Sequence, residues 1–154
     1  MKKQKSIGNK GFSLVELIIV IAIMAILIGV MAPQLMKYVE RSRESADKQV
    51  ADTVRTAIVT ALLDPAVEDG PTSVSSQSLA YVLGLTEDNP KFVAAVSETL
   101  NKETAAQVNA RLKSKAYKPA SGADAFLIDI SGTQVTVTLK ANSGVDGATD
   151  FVIK

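Results

Sequence analysis

This 154-residue chain is expected to fold as α+β, with one very long N-terminal helix packed on a small C-terminal antiparallel sheet and short helices between. Three observations predict it. Phe12 to Ala32 is a run of 21 residues with one charge, Glu16. Further on, Ala46, Val50, Val54, Ala57, Ile58, Ala61 and Leu62 recur at three- and four-residue intervals, the mark of a helix with one apolar face. Near the C-terminus, AFLIDI (125–130) and QVTVTLK (134–140) are rich in β-branched residues and largely alternate, the mark of strands.

Residues 1–11 carry Lys2, Lys3, Lys5 and Lys10 and no acid. Residues 12–33 form the apolar half of the long helix. About 20 apolar residues are needed to cross a ~30 Å hydrocarbon layer, and Phe12–Ala32 supplies them. Basic residues beside a membrane segment stay in the cytoplasm, so the N-terminus is expected inside and the bulk of the chain outside. Residues 34–63 are the amphipathic half, with Glu44 and Lys48 in the favourable i,i+4 order. Pro65 and the EDGP that follows end the helix. A helix from Phe12 to Leu63 would be roughly 78 Å long at 1.5 Å per residue. Its weak points are Gly29 and Pro33, because proline removes a helical hydrogen bond and clashes with the preceding turn. Two readings of that weakness stand, a kink where the chain leaves the bilayer and local melting on assembly.

The head is expected to span residues 64–154, helical over 78–115 and a sheet over 124–154. Residues 64–76 are rich in Pro, Gly and Ser and read as a loop, with Ser73, Ser75 and Ser76 as exposed candidates for glycosylation. Ser78–Leu83 reads as a short helix closed by Gly84. Pro90–Leu100 reads as a second, with Pro90 at its first position and Asp88 or Asn89 capping. Thr104–Lys115 is a third, with Ala105, Val108 and Leu112 on one face. After the turn Lys118–Gly122 come the two strands, joined through Ser131-Gly132-Thr133, and Phe151–Ile153 adds a third. The long helix covers one sheet face.

Composition excludes much chemistry. The chain has no cysteine and no histidine, so it can form no disulfide, no thiolate metal site and no imidazole base. No P-loop and no basic patch with interleaved aromatics is present, so neither nucleotide nor nucleic-acid binding is expected. No cofactor is implied, and an enzyme is not the expected reading.

The N-terminus discriminates further. A secretory signal peptide would be cut near Val30-Met31-Ala32, but Pro33 would follow the cut and Glu16 would have no role. A permanent anchor explains the length but neither the acid nor the Gly11-Phe12 junction. Gly11-Phe12-Ser13-Leu14-Val15-Glu16-Leu17 resembles the class III signal of type IV pilins and of type II secretion pseudopilins. The resemblance covers about the first 40 residues.

It implies that a prepilin peptidase cuts after Gly11 and N-methylates Phe12. Glu16 is then the fifth mature residue, where the family has its glutamate, and Pro33 the twenty-second, where many pilins have a proline. A buried carboxylate must be protonated or paired. Pairing Glu16 with the Phe12 amine of a neighbour would neutralise both and set the stagger of subunits in a filament; the other reading is that Glu16 only marks the membrane boundary.

The implied function is a prepilin, first a single-pass membrane protein and then a homo-oligomeric surface filament. A membrane platform protein and an assembly ATPase are its implied partners. The alternatives are a pseudopilin of a secretion or competence system and, less favoured, a membrane-anchored surface enzyme. Lack of cysteine departs from many Gram-negative pilins, whose C-terminal loop is closed by a disulfide, and fits pilins of Gram-positive bacteria better. Asn142, Asp146 and Asp150 resemble the calcium loop of major pseudopilins, and oxygen ligands suit calcium. The same residue types are also those of ordinary turns.

Overall fold

The computed structural model describes residues 11–119 and 122–154, so Lys2, Lys3, Lys5 and Lys10, with Ala120 and Ser121 of the expected turn, lie outside the described residues. The chain divides into two units, one ending at Tyr38 and one running Val39–Lys154. A single helix, α1 (Leu14–Leu63), belongs to both and is continuous through Gly29 and Pro33. In the first unit every large apolar side chain from Phe12 to Tyr38 is exposed, as expected of a segment suited to membrane or to partner helices.

In the second unit the same helix buries one face: Asp47, Val50, Ala51, Val54, Ala57, Ile58 and Ala61. The expected stripe thus holds from Val50 to Ala61, but its first member is Asp47, with Ala46 exposed and Leu62 half-buried. Positions 47, 50, 54 and 58 keep the i, i+3, i+7, i+11 phase of one face, and Ala46 falls outside it. Leu63 ends the helix before Pro65, and the Asp64 carboxylate accepts from Ala66 N–H at 2.8 Å in the turn.

The stretch expected as a loop over 64–76 carries β1 (Ser73–Ser78) at its end. The sheet therefore has four antiparallel strands rather than three, in the order β1, β2 (Phe126–Ser131), β3 (Gln134–Leu139), β4 (Phe151–Ile153). Polar SVSSQS has no apolar alternation, so β1 exists through its pairing with β2 and not through a buried face. Opposite Asp129 it bulges at Ser75 and Ser76, and Ser76 takes φ 48°. The Asp129 carboxylate secures the bulge, accepting from Ser76 N–H at 2.8 Å and from its hydroxyl at 3.3 Å. A bulged edge resists pairing with another chain. The β2–β3 hairpin turns on Gly132 and Thr133, with Gly132 at φ 58°, a conformation only glycine adopts freely.

Three short helices lie between β1 and β2: α2 (Leu79–Leu83), α3 (Pro90–Thr99) and α4 (Ala105–Ala110). Pro90 opens α3 and Asn89 occupies its N-cap position as expected, but the Asn89 side chain does not cap the helix amides. Asp69, twenty-two residues upstream of Lys91, does so through both oxygens, accepting from Lys91 N–H at 2.8 Å and Phe92 N–H at 2.9 Å. Thr104 and Gln107 form a reciprocal capping box at the start of α4. That helix stops at Ala110 rather than running to Lys115. The amides of Lys113 and Ser114, which a continuing helix would spend on its own carbonyls, are taken by Asp47 of α1. The core lies between the α1 face, the inner sheet residues Phe126, Ile128, Val137 and Leu139, and Leu79, Phe92, Val96 and Leu112 of the intervening segments, all essentially buried.

Candidate processing and assembly site

The residues singled out by sequence lie together by chain order at the start of α1. Gly11 is exposed, and a Cβ built on it would meet nothing within 4 Å. Among the described residues, neither packing nor a positive φ demands glycine there. Phe12 is 92% exposed and precedes the helix.

Ser13 and Glu16 form a local hydrogen-bonded cap at the start of α1. The Glu16 Oε2 accepts from the Ser13 backbone N–H at 2.9 Å, while Leu17 N–H donates to the Ser13 carbonyl at 3.2 Å. Ser13 is thus the N-cap and Glu16 the third helical residue, reaching back in half of a capping box. The signal was legible as Ser-x-x-Glu before an apolar run. The only acid of the run therefore sits where the helix dipole and an orphan N–H both favour negative charge. A carboxylate has about four lone-pair sites and this bond uses one.

Gly29 also meets nothing within 4 Å on addition of a Cβ. A helical glycine costs about 1 kcal/mol relative to alanine, and nothing within the chain requires it. Pro33 lies in the same exposed stretch.

In the head, two of the three candidate calcium residues are committed to the fold. The Asn142 amide donates to the carbonyls of Lys115 (3.4 Å) and Lys118 (3.3 Å), and its Oδ1 accepts from Gly144 N–H at 3.1 Å. Asp150 accepts from Ala141 N–H at 2.7 Å, and Asp146 is exposed. Among the described residues no group of three or more His, Cys, Asp or Glu side chains is placed to hold a metal ion.

Asp47 is a buried tether in the head that the sequence pattern did not single out. It is fully buried, and its carboxylate accepts from Lys113 N–H (2.9 Å), Ser114 N–H (2.8 Å) and the Ser114 hydroxyl (2.5 Å). One turn or two earlier, Glu40 accepts from the Lys115 N–H. These two side chains fasten residues 113–115 to α1.

Residues 8–32 match the family model of the prokaryotic N-terminal methylation motif. This is a type IV pilin-like N-terminus. The chain is similar to the type IV major fimbrial protein FimA of Dichelobacter nodosus, 46% identical over 56 residues, or 36% of each chain. A second FimA of that organism is 47% identical over the same length. The match thus spans about a third of those fimbrial proteins. A longer likeness, 28% identical over 134 residues and 84% of each chain, is to the prepilin peptidase-dependent protein A of Clostridium perfringens. No solved structure gives a significant match. The comparisons thus agree with the pilin-like reading of the N-terminus, and the fold with the expected α+β architecture.

Proposed function

We propose that this pilin-like chain is the structural subunit of a type IV filament. It is inserted with its N-terminus in the cytoplasm and cut between Gly11 and Phe12. The new N-terminus is methylated, and the subunit is then built into a surface fibre through residues 12–38 of α1. The observation that carries the reading is the contrast within α1: its apolar half buries nothing in the chain, while its other half is packed into a head. An apolar surface of that extent is stable only in lipid or against other copies. Prepilin peptidase, a platform protein and an assembly ATPase are the partners the reading requires. The long match to the clostridial protein and the absence of cysteine favour a Gram-positive type.

In the waiting subunit Glu16 caps its own helix. On assembly its free lone pairs accept from the Phe12 amine of a neighbour, so the same carboxylate serves both states. Gly29 and Pro33 are where α1 yields when helices crowd together.

The test is mass spectrometry of the protein recovered from producing cells, with electron microscopy of sheared fibres. A chain beginning at Phe12, one methyl group heavy, in fibres labelled along their length is the expected result. Glu16→Ala should still be cut but form few fibres. A processed chain confined to the envelope would move the assignment to a pseudopilin.

A further inference from the structure

Two Asp-Gly steps occur in the sequence, Asp69-Gly70 and Asp146-Gly147, and no Asn-Gly. An aspartate followed by glycine is where a peptide backbone rearranges most readily in water. Glycine has no side chain to keep its amide nitrogen away from the neighbouring carboxyl carbon. Attack still needs those two atoms to come within about 3–3.5 Å of each other. The fold treats the two steps in opposite ways.

At Asp69 both carboxylate oxygens are held. Oδ2 accepts from Lys91 N–H at 2.8 Å and Oδ1 from Phe92 N–H at 2.9 Å, so the side chain is turned to the start of α3. The Asp69 carbonyl accepts from the Asn89 amide as well. Gly70 is half-buried, and a Cβ built on it would stand 3.0 Å from Leu62 Cδ2. Asn142, the labile amide of the C-terminal loop, is restrained in the same way by the Lys115 and Lys118 carbonyls and by Gly144 N–H.

Asp146 and Gly147 are exposed. Among the described residues no hydrogen bond or ion pair engages the Asp146 carboxylate or the Gly147 N–H. Ala148 N–H donates to the Val145 carbonyl at 3.3 Å and closes a turn over the two residues, with Gly147 at φ 76°. That conformation calls for glycine. The residue that the turn requires is therefore the one that leaves the carboxyl carbon unshielded.

We propose that Asp146 is a site of spontaneous backbone modification, converting to isoaspartate in the folded chain. The Gly147 nitrogen attacks Cγ of Asp146 in its acid form. A C–N bond forms, a C–O bond breaks, and the amide proton leaves with the carboxyl hydroxyl as water. Water then opens the cyclic imide at either carbonyl. Opening at the main-chain carbonyl carbon of Asp146 breaks its bond to the Gly147 nitrogen, leaves the chain running through Cγ and frees the old carbonyl as a carboxylate. Mass and charge return to their starting values, but the backbone inside the turn is one carbon longer, and the Ala148–Val145 hydrogen bond is lost. The loop so altered leads directly into β4. The inference concerns the head alone and holds whether or not the chain assembles. In the fibre proposed above, isoaspartate becomes a record of subunit age.

The test holds the full chain in detergent at neutral pH and physiological temperature for some weeks. Its peptides are then fragmented by electron transfer, which tells isoaspartate from aspartate. Isoaspartate should accumulate at position 146 and about a hundredfold more slowly at 69, because Asp69 must first give up two hydrogen bonds to a charged acceptor, each worth about tenfold or more. In guanidinium chloride the two steps should react at like rates, since only the local sequence then acts. Asp146→Glu, on an exposed side chain, should abolish the change there and leave that at 69 as it was, since the longer side chain would have to close a larger ring. Equal accumulation at 69 and 146 in the folded chain overturns the inference. So does accumulation at neither in the folded chain when the unfolded chain reacts at both, or faster isoaspartate formation at Asn142.

Discussion

Two stretches of one helix treat their acids and apolar residues in opposite ways. From Leu14 to Tyr38, apolar side chains face outward and the single acid caps its own first turn. From Val39 to Leu63, one apolar face packs on a core, and Glu40 and Asp47 reach across to another segment. The first stretch is finished only by other molecules; the second is finished within the chain. The head extends the second pattern. Glu40, Asp47, Asp69, Asp124, Asp129 and Asp150 each accept at least one backbone N–H from another stretch of chain. In a chain without cysteine, these carboxylates tie loops to helices and strands. Hydrogen bonds to a charged acceptor contribute about 1.5–3 kcal/mol each.

The comparison is broken most directly at Asp47. Asp47→Ala leaves two amides and the Ser114 hydroxyl without their acceptor in a buried site. It should cost about 3–5 kcal/mol, measured by denaturant unfolding in detergent. Asp47→Asn keeps the shape and one acceptor oxygen but turns an NH2 toward one of the donors, and should lose less than Asp47→Ala; an equal loss would show that both acceptor oxygens are required.

Next comes a paired substitution on the two stretches. Ile58→Ala should destabilise the head by about 2–5 kcal/mol. Ile21→Ala, at a residue 58% exposed, should leave head stability unchanged while reducing fibre yield. A head equally destabilised by Ile21→Ala would erase the distinction between the stretches.

Removing the distant cap of α3 with Asp69→Ala should cost about 1–2 kcal/mol, read by the same unfolding assay, with Asp88→Ala near zero.

The smallest effect is a pH dependence. Burial raises the Tyr117 phenol above its ordinary value of 10.0, and the negative charges of Glu44, Asp150 and Asp47 add to it. Its folded pKa lies above the unfolded one. The stabilising contribution is therefore complete below about pH 10 and is lost as pH rises through the folded value, since the unfolded chain gives up the proton first. Alkaline unfolding curves should show this slope, and Tyr117→Phe should flatten it.

Much of this was legible before any coordinates. The apolar run after Gly11, the helix end before Pro65, the stripe Val50–Ala61 and the β2–β3 hairpin are all local patterns, and local patterns are what periodicity and turn chemistry report. So was the Ser13–Glu16 cap, although the interest of Glu16 as an assembly residue hid it. The readings that needed revision share one cause. A helix expected to reach Lys115 stops at Ala110 because Asp47 takes its amides. Asn89 takes the N-cap position of α3 as expected, but the capping side chain comes from Asp69. A loop over 64–76 ends in a strand because β2 offers it hydrogen bonds. In each case a residue distant in sequence supplied the partner.

The sequence by itself determined that this chain carries a pilin-like N-terminus, a helix of which one half is apolar all round, and a small α+β head. Those properties follow from the order and spacing of side chains along a single segment. Only the tertiary structure decided which acids are buried and which remain outside. A carboxylate's effect depends on the donor that meets it, and that donor is brought there by folding.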